Sequence, residues 1–204
     1  MMKLGMIDYG RGNLRSVINA CRALGHDPTL VTCAADLKEL THIIFPGQGA
    51  FGDCMESLAR LNLVEPLREW ITADRPYFGI CVGYQLLFSS SQEAPGIEGL
   101  SIIDGACQRF TSTDIKIPHM GWNSLVLKQP SSPYWEGFDD DPFFYFVHSF
   151  YPSGVNEEDI AALCTYGNET FCAAIQRGNL LATQFHPEKS QHAGLSLLEN
   201  FLSA

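Results

Sequence analysis

The apolar positions of the first third of the chain follow two rhythms. Leu4 to Ile7 is a short unbroken apolar run that ends in the turn-prone Asp8-Tyr9-Gly10; after it Leu14, Val17, Ile18, Cys21 and Leu24 recur at helical spacing. This reads as a strand followed by a helix. The alternation repeats through strand-like Thr29 to Val31, then His42 to Phe45 with a helix around Met55 to Trp70, then Tyr77 to Ile80 with a helix from about Gly83. Such alternation predicts an α/β fold with a doubly wound, mostly parallel central sheet and helices on both faces.

After Ser89 the character changes. Gln92 to Gly96 and Ser131-Ser132-Pro133 mark loops, while Trp122 to Leu127 and Phe143 to Val147 look like strands, so the second half is expected to add antiparallel strands. Ala193 to Leu202 carries Leu195, Leu198 and Phe201 at helical spacing and predicts a terminal helix packed on the sheet. No internal repeat or low-complexity tract interrupts the 204 residues, and a single domain over 1–204 is expected.

Charge narrows the function. With 13 basic against 23 acidic residues the net charge is −10, and the scattered Lys and Arg form no surface for nucleic acid. The N-terminus reaches Asp8 before any secretory apolar region accumulates, and no stretch has membrane-spanning length, so a soluble, cytoplasmic chain is expected. Seven cysteines form no C-x-x-C pair, and an odd count leaves at least one thiol unpaired, which fits a reducing compartment.

One cysteine stands apart. Gly79-Ile80-Cys81-Val82-Gly83 joins a predicted strand to a predicted helix, the context of a nucleophile elbow with Cys in place of Ser. A thiol there meets the unpaired N–H groups of a helix start, which favour thiolate, and the next amide, that of Val82, can face an oxyanion. His186-Pro187-Glu188 follows the strand-like run Leu180 to Phe185; in an extended chain His186 and Glu188 point the same way, so the carboxylate can orient an imidazole acting as base. Reading His186, Glu188 and His192 as metal ligands is disfavoured, because the spacing matches no common ligand set.

Gly47-Gln48-Gly49-Ala50-Phe51-Gly52 matches G-x-G-x-x-G, yet it follows Pro46, lies off the first strand and lacks a following strand-end acid. Close backbone approach to a substrate, completing an oxyanion hole beside Cys81, suits it better. No phosphate-binding G-x-x-x-x-G-K-[ST] loop occurs.

Pro46 to Phe51, Gly79 to Gln85 and Phe185 to Ser190 together resemble the class I glutamine amidotransferases. Within that class, Ile7 to Leu14, His119 to Asn123 and Tyr145 to Ser149 look like the glutaminase subunits of imidazole glycerol phosphate synthases, nearly end to end. The resemblance implies hydrolysis of L-glutamine by a Cys81–His186–Glu188 triad, without cofactor or metal. It also implies a heterodimer with a cyclase subunit, a (β/α)8 barrel that uses the ammonia in histidine biosynthesis. Gly49, Val82, Gln85, Ser149 and Phe150 would bind substrate, and Asn13, Trp122, Asn123 and Lys189 would meet the partner. Gln48, Val82 and Tyr84 depart from the more usual Val, Leu and Met. Two alternatives are the glutaminase of another synthase, against which Met120 to Asn123 argues, and a non-catalytic α/β module with Cys81 as a redox-sensing thiol.

Overall fold

In the computed structural model, which describes residues 2–10 and 14–204, the apolar runs of the first third are strands β1 (Leu4–Ile7), β2 (Thr29–Val31), β3 (His42–Phe45) and β4 (Tyr77–Ile80). Their side chains alternate between two cores: Leu4, Met6, Ile44, Phe78 and Ile80 pack into one, and Ile7, Ile43, Phe45 and Tyr77 into the other. A strand covered on both faces has no polar side to present, which is why β1, β3 and β4 read as largely apolar runs, whereas β2, at the sheet edge, buries only Val31.

Helix α1 (Leu14–Ala23) closes the first core with Val17, Ala20 and Cys21, and α2 (Phe51–Arg60) and α3 (Val64–Thr72) close the second. The single helix predicted around Met55 to Trp70 is therefore two. Pro66 has no N–H and is tolerated only in a first turn, so a helix must begin just before it. Between the two, Asn62 takes a left-handed φ of 53°, and the Leu63 N–H closes the turn on the Leu58 carbonyl at 2.9 Å. The helix expected from Gly83 is one turn, α4 (Val82–Gln85).

The second half supplies β5 (Ala106–Arg109), β6 (His119–Ser124), β7 (Val126–Leu127), β8 (Phe143–His148), β9 (Phe150–Ser153), β10 (Ile160–Tyr166), β11 (Glu169–Arg177), β12 (Leu180–Thr183) and helix α5 (Gln191–Ser203). The main sheet runs β2-β1-β3-β4-β12-β11-β10-β7, parallel from β2 to β12 and antiparallel beyond. Two antiparallel pairs, β5 with β9 and β6 with β8, stand apart from it. The run expected as one strand from Trp122 to Leu127 is split at buried Leu125, where the chain leaves the β8 pairing for the edge of the main sheet. Helix α5 packs Leu197, Leu198, Phe201 and Leu202 into the core that α1 also covers, so helices lie on both faces as predicted.

The placement of β12 has the largest consequence. It enters parallel beside β4, with Thr183 opposite Ile80, so the residues after both strands emerge at one sheet edge.

Candidate active site

Cys81 follows β4 directly, at φ 52° and ψ −103°. A non-glycine residue there costs about 1–3 kcal/mol and persists only where surroundings over-determine it. Here its N–H donates to the Thr183 carbonyl at 2.7 Å, and its carbonyl accepts from the Tyr84 and Gln85 amides at 3.1 and 3.0 Å. Two glycines let the backbone close around it. A Cβ on Gly47 would lie 2.5 Å from the Ile80 carbonyl and the Val82 nitrogen, and one on Gly83 would lie 2.2 Å from the Phe45 carbonyl. The elbow thus presents the thiol at the strand end, with Val82 opening α4.

His186 leaves β12 with extended backbone, φ −103° and ψ 96°. The chain then does not continue extended as the alternation predicted. Pro187 starts a 3-10 turn over Pro187–Lys189, for which its locked φ is suited. The turn brings Glu188 back, and Glu188 Oε1 lies 2.8 Å from His186 Nδ1. Both side chains are sequestered, at 1% and 2% exposure. Ser190 fixes the turn, donating to the His186 carbonyl at 2.7 Å and accepting from the Tyr145 amide at 2.9 Å. The other nitrogen, Nε2, is buried and has no hydrogen-bond partner of good geometry among the described residues. Burial would lower the pKa of His186, but charge and hydrogen bonding from Cys81 outweigh it, with Glu188 adding to the effect, and raise it to about 10. The ring therefore favours its doubly protonated form beside the Cys81 sulfur.

These groups open into a cavity of about 450 Å³, within the size range of small-molecule sites. Gly49, Val82, Gln85, Ser149 and Phe150 line it, as do Cys81, His186 and Lys189. Gln85 is more deeply placed than expected: its Nε2 donates to the Phe150 carbonyl at 2.9 Å and to Gln184 Oε1 at 3.0 Å. In the glycine-rich loop the Gln48 N–H donates to the Tyr9 hydroxyl at 3.2 Å, and that hydroxyl donates to the Gln48 carbonyl at 3.1 Å. The Gln48 amide is thereby turned to Tyr9.

Three pocket neighbours were missed from the sequence. Gln184 Nε2 lies 3.7 Å from Cys81 Sγ; its position two before His186 in an extended run was the available signal. Glu93 lines the cavity and accepts from the Phe51 amide at 2.7 Å, and His148 lines the wall from β8. Glu93 comes from a segment read as loop, with no local pattern to mark it, whereas His148 lies in the Tyr145 to Ser149 stretch that carries the resemblance but is given no role there.

Of the positions expected to meet a partner, Asn13 lies outside the described residues. Trp122 is 45% exposed, on a face of the β6–β8 pair shared with Met120, Tyr145, Val147 and Phe143. Lys189 Nζ lies 5.9 Å over the Tyr145 ring, joining that face to the cavity mouth. Asn123 is half-buried on the other side of the pair. Strand alternation turns it to the side opposite Trp122, where its amide donates to the Thr165 carbonyl at 2.9 Å. His192, weighed as a ligand, is bound to Ser196 on α5. Among the described residues no group of three or more His, Cys, Asp or Glu side chains is placed to hold a metal, and no helix is long and apolar enough to cross a membrane.

A family described as glutamine amidotransferase class-I matches residues 5–204. The chain is 45% identical over 207 residues to the imidazole glycerol phosphate synthase subunit HisH of Geobacter sulfurreducens, covering 98% of each chain. It is 43% identical over 204 residues to that of a Nostoc species, covering 100% of this chain and 96% of the relative. It is also 42% identical over 209 residues to the imidazole glycerol phosphate synthase hisHF of Schizosaccharomyces pombe, covering 99% of this chain but 38% of that one. Among solved structures, a glutamine amidotransferase superposes with a TM-score of 0.76 at 19% identity, over 98% of this chain and 97% of the other. PurLQS from Thermotoga maritima gives 0.76 at 18%, over 99% and 98%. At such identity the structures speak for the fold, while the sequence relatives speak for the family: the chain belongs to the class-I glutamine amidotransferases and, within them, to the HisH subunits of imidazole glycerol phosphate synthase.

Proposed function

We propose that this chain is the glutaminase half of an imidazole glycerol phosphate synthase. It hydrolyses L-glutamine to glutamate and ammonia and passes the ammonia to a cyclase subunit, a (β/α)8 barrel, in cytoplasmic histidine biosynthesis. The observation that carries the reading is the convergence after β4 and β12 of a strained Cys81 with a buried His186 whose Nδ1 is tied to Glu188. A single domain over 1–204 is part of it: both cores are built on one sheet.

The chemistry follows from this arrangement. The Cys81 thiolate attacks the side-chain amide carbon of glutamine, and the carbonyl electron pair moves to oxygen, opposite the Val82 N–H. His186 gives its proton to the departing nitrogen, ammonia leaves, and a thioester remains. The now neutral imidazole takes a proton from water, hydroxide adds to the thioester, and glutamate leaves as the sulfur recovers its charge. Glu188 keeps the ring oriented throughout. Glu93, an acid on the cavity wall, is suited to the substrate's α-ammonium, and Gly49, Ser149 and Phe150 complete the wall.

Docking of the cyclase is supported by the exposed apolar face of Met120, Trp122 and Phe143, contiguous with the cavity through Val147 and Lys189. The test is Cys81→Ala in the assembled synthase: glutamine-dependent synthesis is expected to vanish while ammonia-dependent synthesis persists. Appreciable glutamine use by the variant would overturn the assignment.

A further inference from the structure

Two buried histidines outside the triad form a hydrogen-bonded line toward it. His119 and His148 face each other across β6 and β8, 2% and 6% exposed, with His119 Nδ1 3.0 Å from His148 Nε2. Aromatic rings enclose them: His119 stacks on Phe146 and Tyr166 at 4.7 and 4.0 Å, and Phe110 lies 5.3 Å from His148. Their protons have only one arrangement. The Phe150 carbonyl, 2.8 Å from His148 Nδ1, can only accept, so Nδ1 carries the hydrogen and Nε2 is an acceptor. His119 must then donate from Nδ1, leaving its own Nε2 to accept the Asn123 amide at 3.4 Å. Burial suits this neutral state, lowering the pKa of His119 to about 4 and that of His148 to about 3.

The same carbonyl is where the line reaches the cavity. Phe150 O also accepts from Gln85 Nε2, whose second hydrogen goes to Gln184 Oε1; Gln184 must therefore present its NH2 to Cys81 Sγ at 3.7 Å. Each group can satisfy its neighbour in one orientation only, so a reversed proton at His148 would leave two acceptors facing each other at Phe150.

We propose that His119 and His148 are positioning residues for glutamine hydrolysis: a neutral, direction-locked imidazole pair that holds the Phe150 carbonyl and, through Gln85 and Gln184, sets the amide wall beside the Cys81 sulfur. Neither touches the reacting atoms of glutamine. The inference rests on the reading of Cys81 as nucleophile.

Nitrogen NMR on histidine-labelled protein at neutral pH tests the proton order directly, with both rings expected as neutral Nδ1–H tautomers. An Nε2–H tautomer at His148 would overturn the proposal. Kinetics of the synthase with its cyclase subunit test the consequence. His148→Leu keeps the bulk and removes both nitrogens, and is expected to lower glutamine kcat/KM by about tenfold or more. His148→Asn returns a donor at the Nδ1 position and is expected to recover most of that loss. A wild-type value in the Leu variant, or no advantage of Asn over Leu, would overturn the positioning role; if the Leu variant does not fold, the tautomers of the wild-type protein still decide. Cys81→Ala run alongside separates the two claims, since glutamine use by that variant would sink the nucleophile assignment and leave the tautomers to be judged by themselves.

Discussion

His186 is pulled in opposite directions by its surroundings. Burial favours the neutral ring, whereas the charge interactions and hydrogen bonds that Cys81 and Glu188 offer favour imidazolium, and the balance raises its pKa from the ordinary 6.5 to about 10. A group raised on folding stabilises the fold through its protonated form. That contribution is fully present below pH 6.5 and is lost as pH rises through about 10. Proton–carbon NMR of the ring should therefore find it protonated at neutral pH, with a midpoint near 10. Because Cys81 is the leading cause that raises it, Cys81→Ala should shift the midpoint downward; an unmoved midpoint would show that the sulfur is not responsible. At this scale the local patterns were legible for Cys81 and His186. Glu188 was legible as a neighbour, although a turn rather than an extended strand delivers it.

Elements hold these residues by close backbone packing. Helix α5 approaches the His-Pro-Glu turn so tightly that a Cβ on Gly194 would sit 1.8 Å from the Pro187 carbonyl. Gly194→Ala should therefore overpack this contact, costing about 1–3 kcal/mol. Calorimetry should find the thermal midpoint lowered by roughly 2–4 °C for each kcal/mol at this chain length. Glutamine turnover should fall as well, because the displaced turn carries Glu188. An unchanged midpoint would mean that α5 shifts freely away. Helix boundaries were partly legible: Pro66 marks the start of α3 in hindsight, but the apolar spacing continues across Asn62 and conceals the break.

At the scale of the molecule, the cavity and the exposed face of the β6–β8 pair form one continuous surface. Trp122 stands at its centre, 6.2 Å from the Tyr145 ring and half exposed in the free chain. A large aromatic presented in this way is suited to anchor a partner. Trp122→Ala should weaken binding to the cyclase subunit by about 2 kcal/mol, roughly thirtyfold in Kd. Titration calorimetry of the two subunits is the check, and an affinity within about twofold of wild type would place the anchor elsewhere.

The sequence by itself determined the α/β class, the strands of the parallel half, the elbow cysteine and the His-Pro-Glu end, because each is written in local terms: apolar period, turn residues and proline geometry. The resemblance of its motifs added the family and the triad proposed above. Only the tertiary structure decided that β12 pairs with β4, which brings residues 105 positions apart to one sheet edge. Strand order depends on pairings between distant segments, and no local period encodes them. The same holds for the inward turn of Asn123, for Gln184 beside the sulfur, and for the facing of His119 and His148. Each depends on which side of a pleat is buried, and the partner strand sets that side.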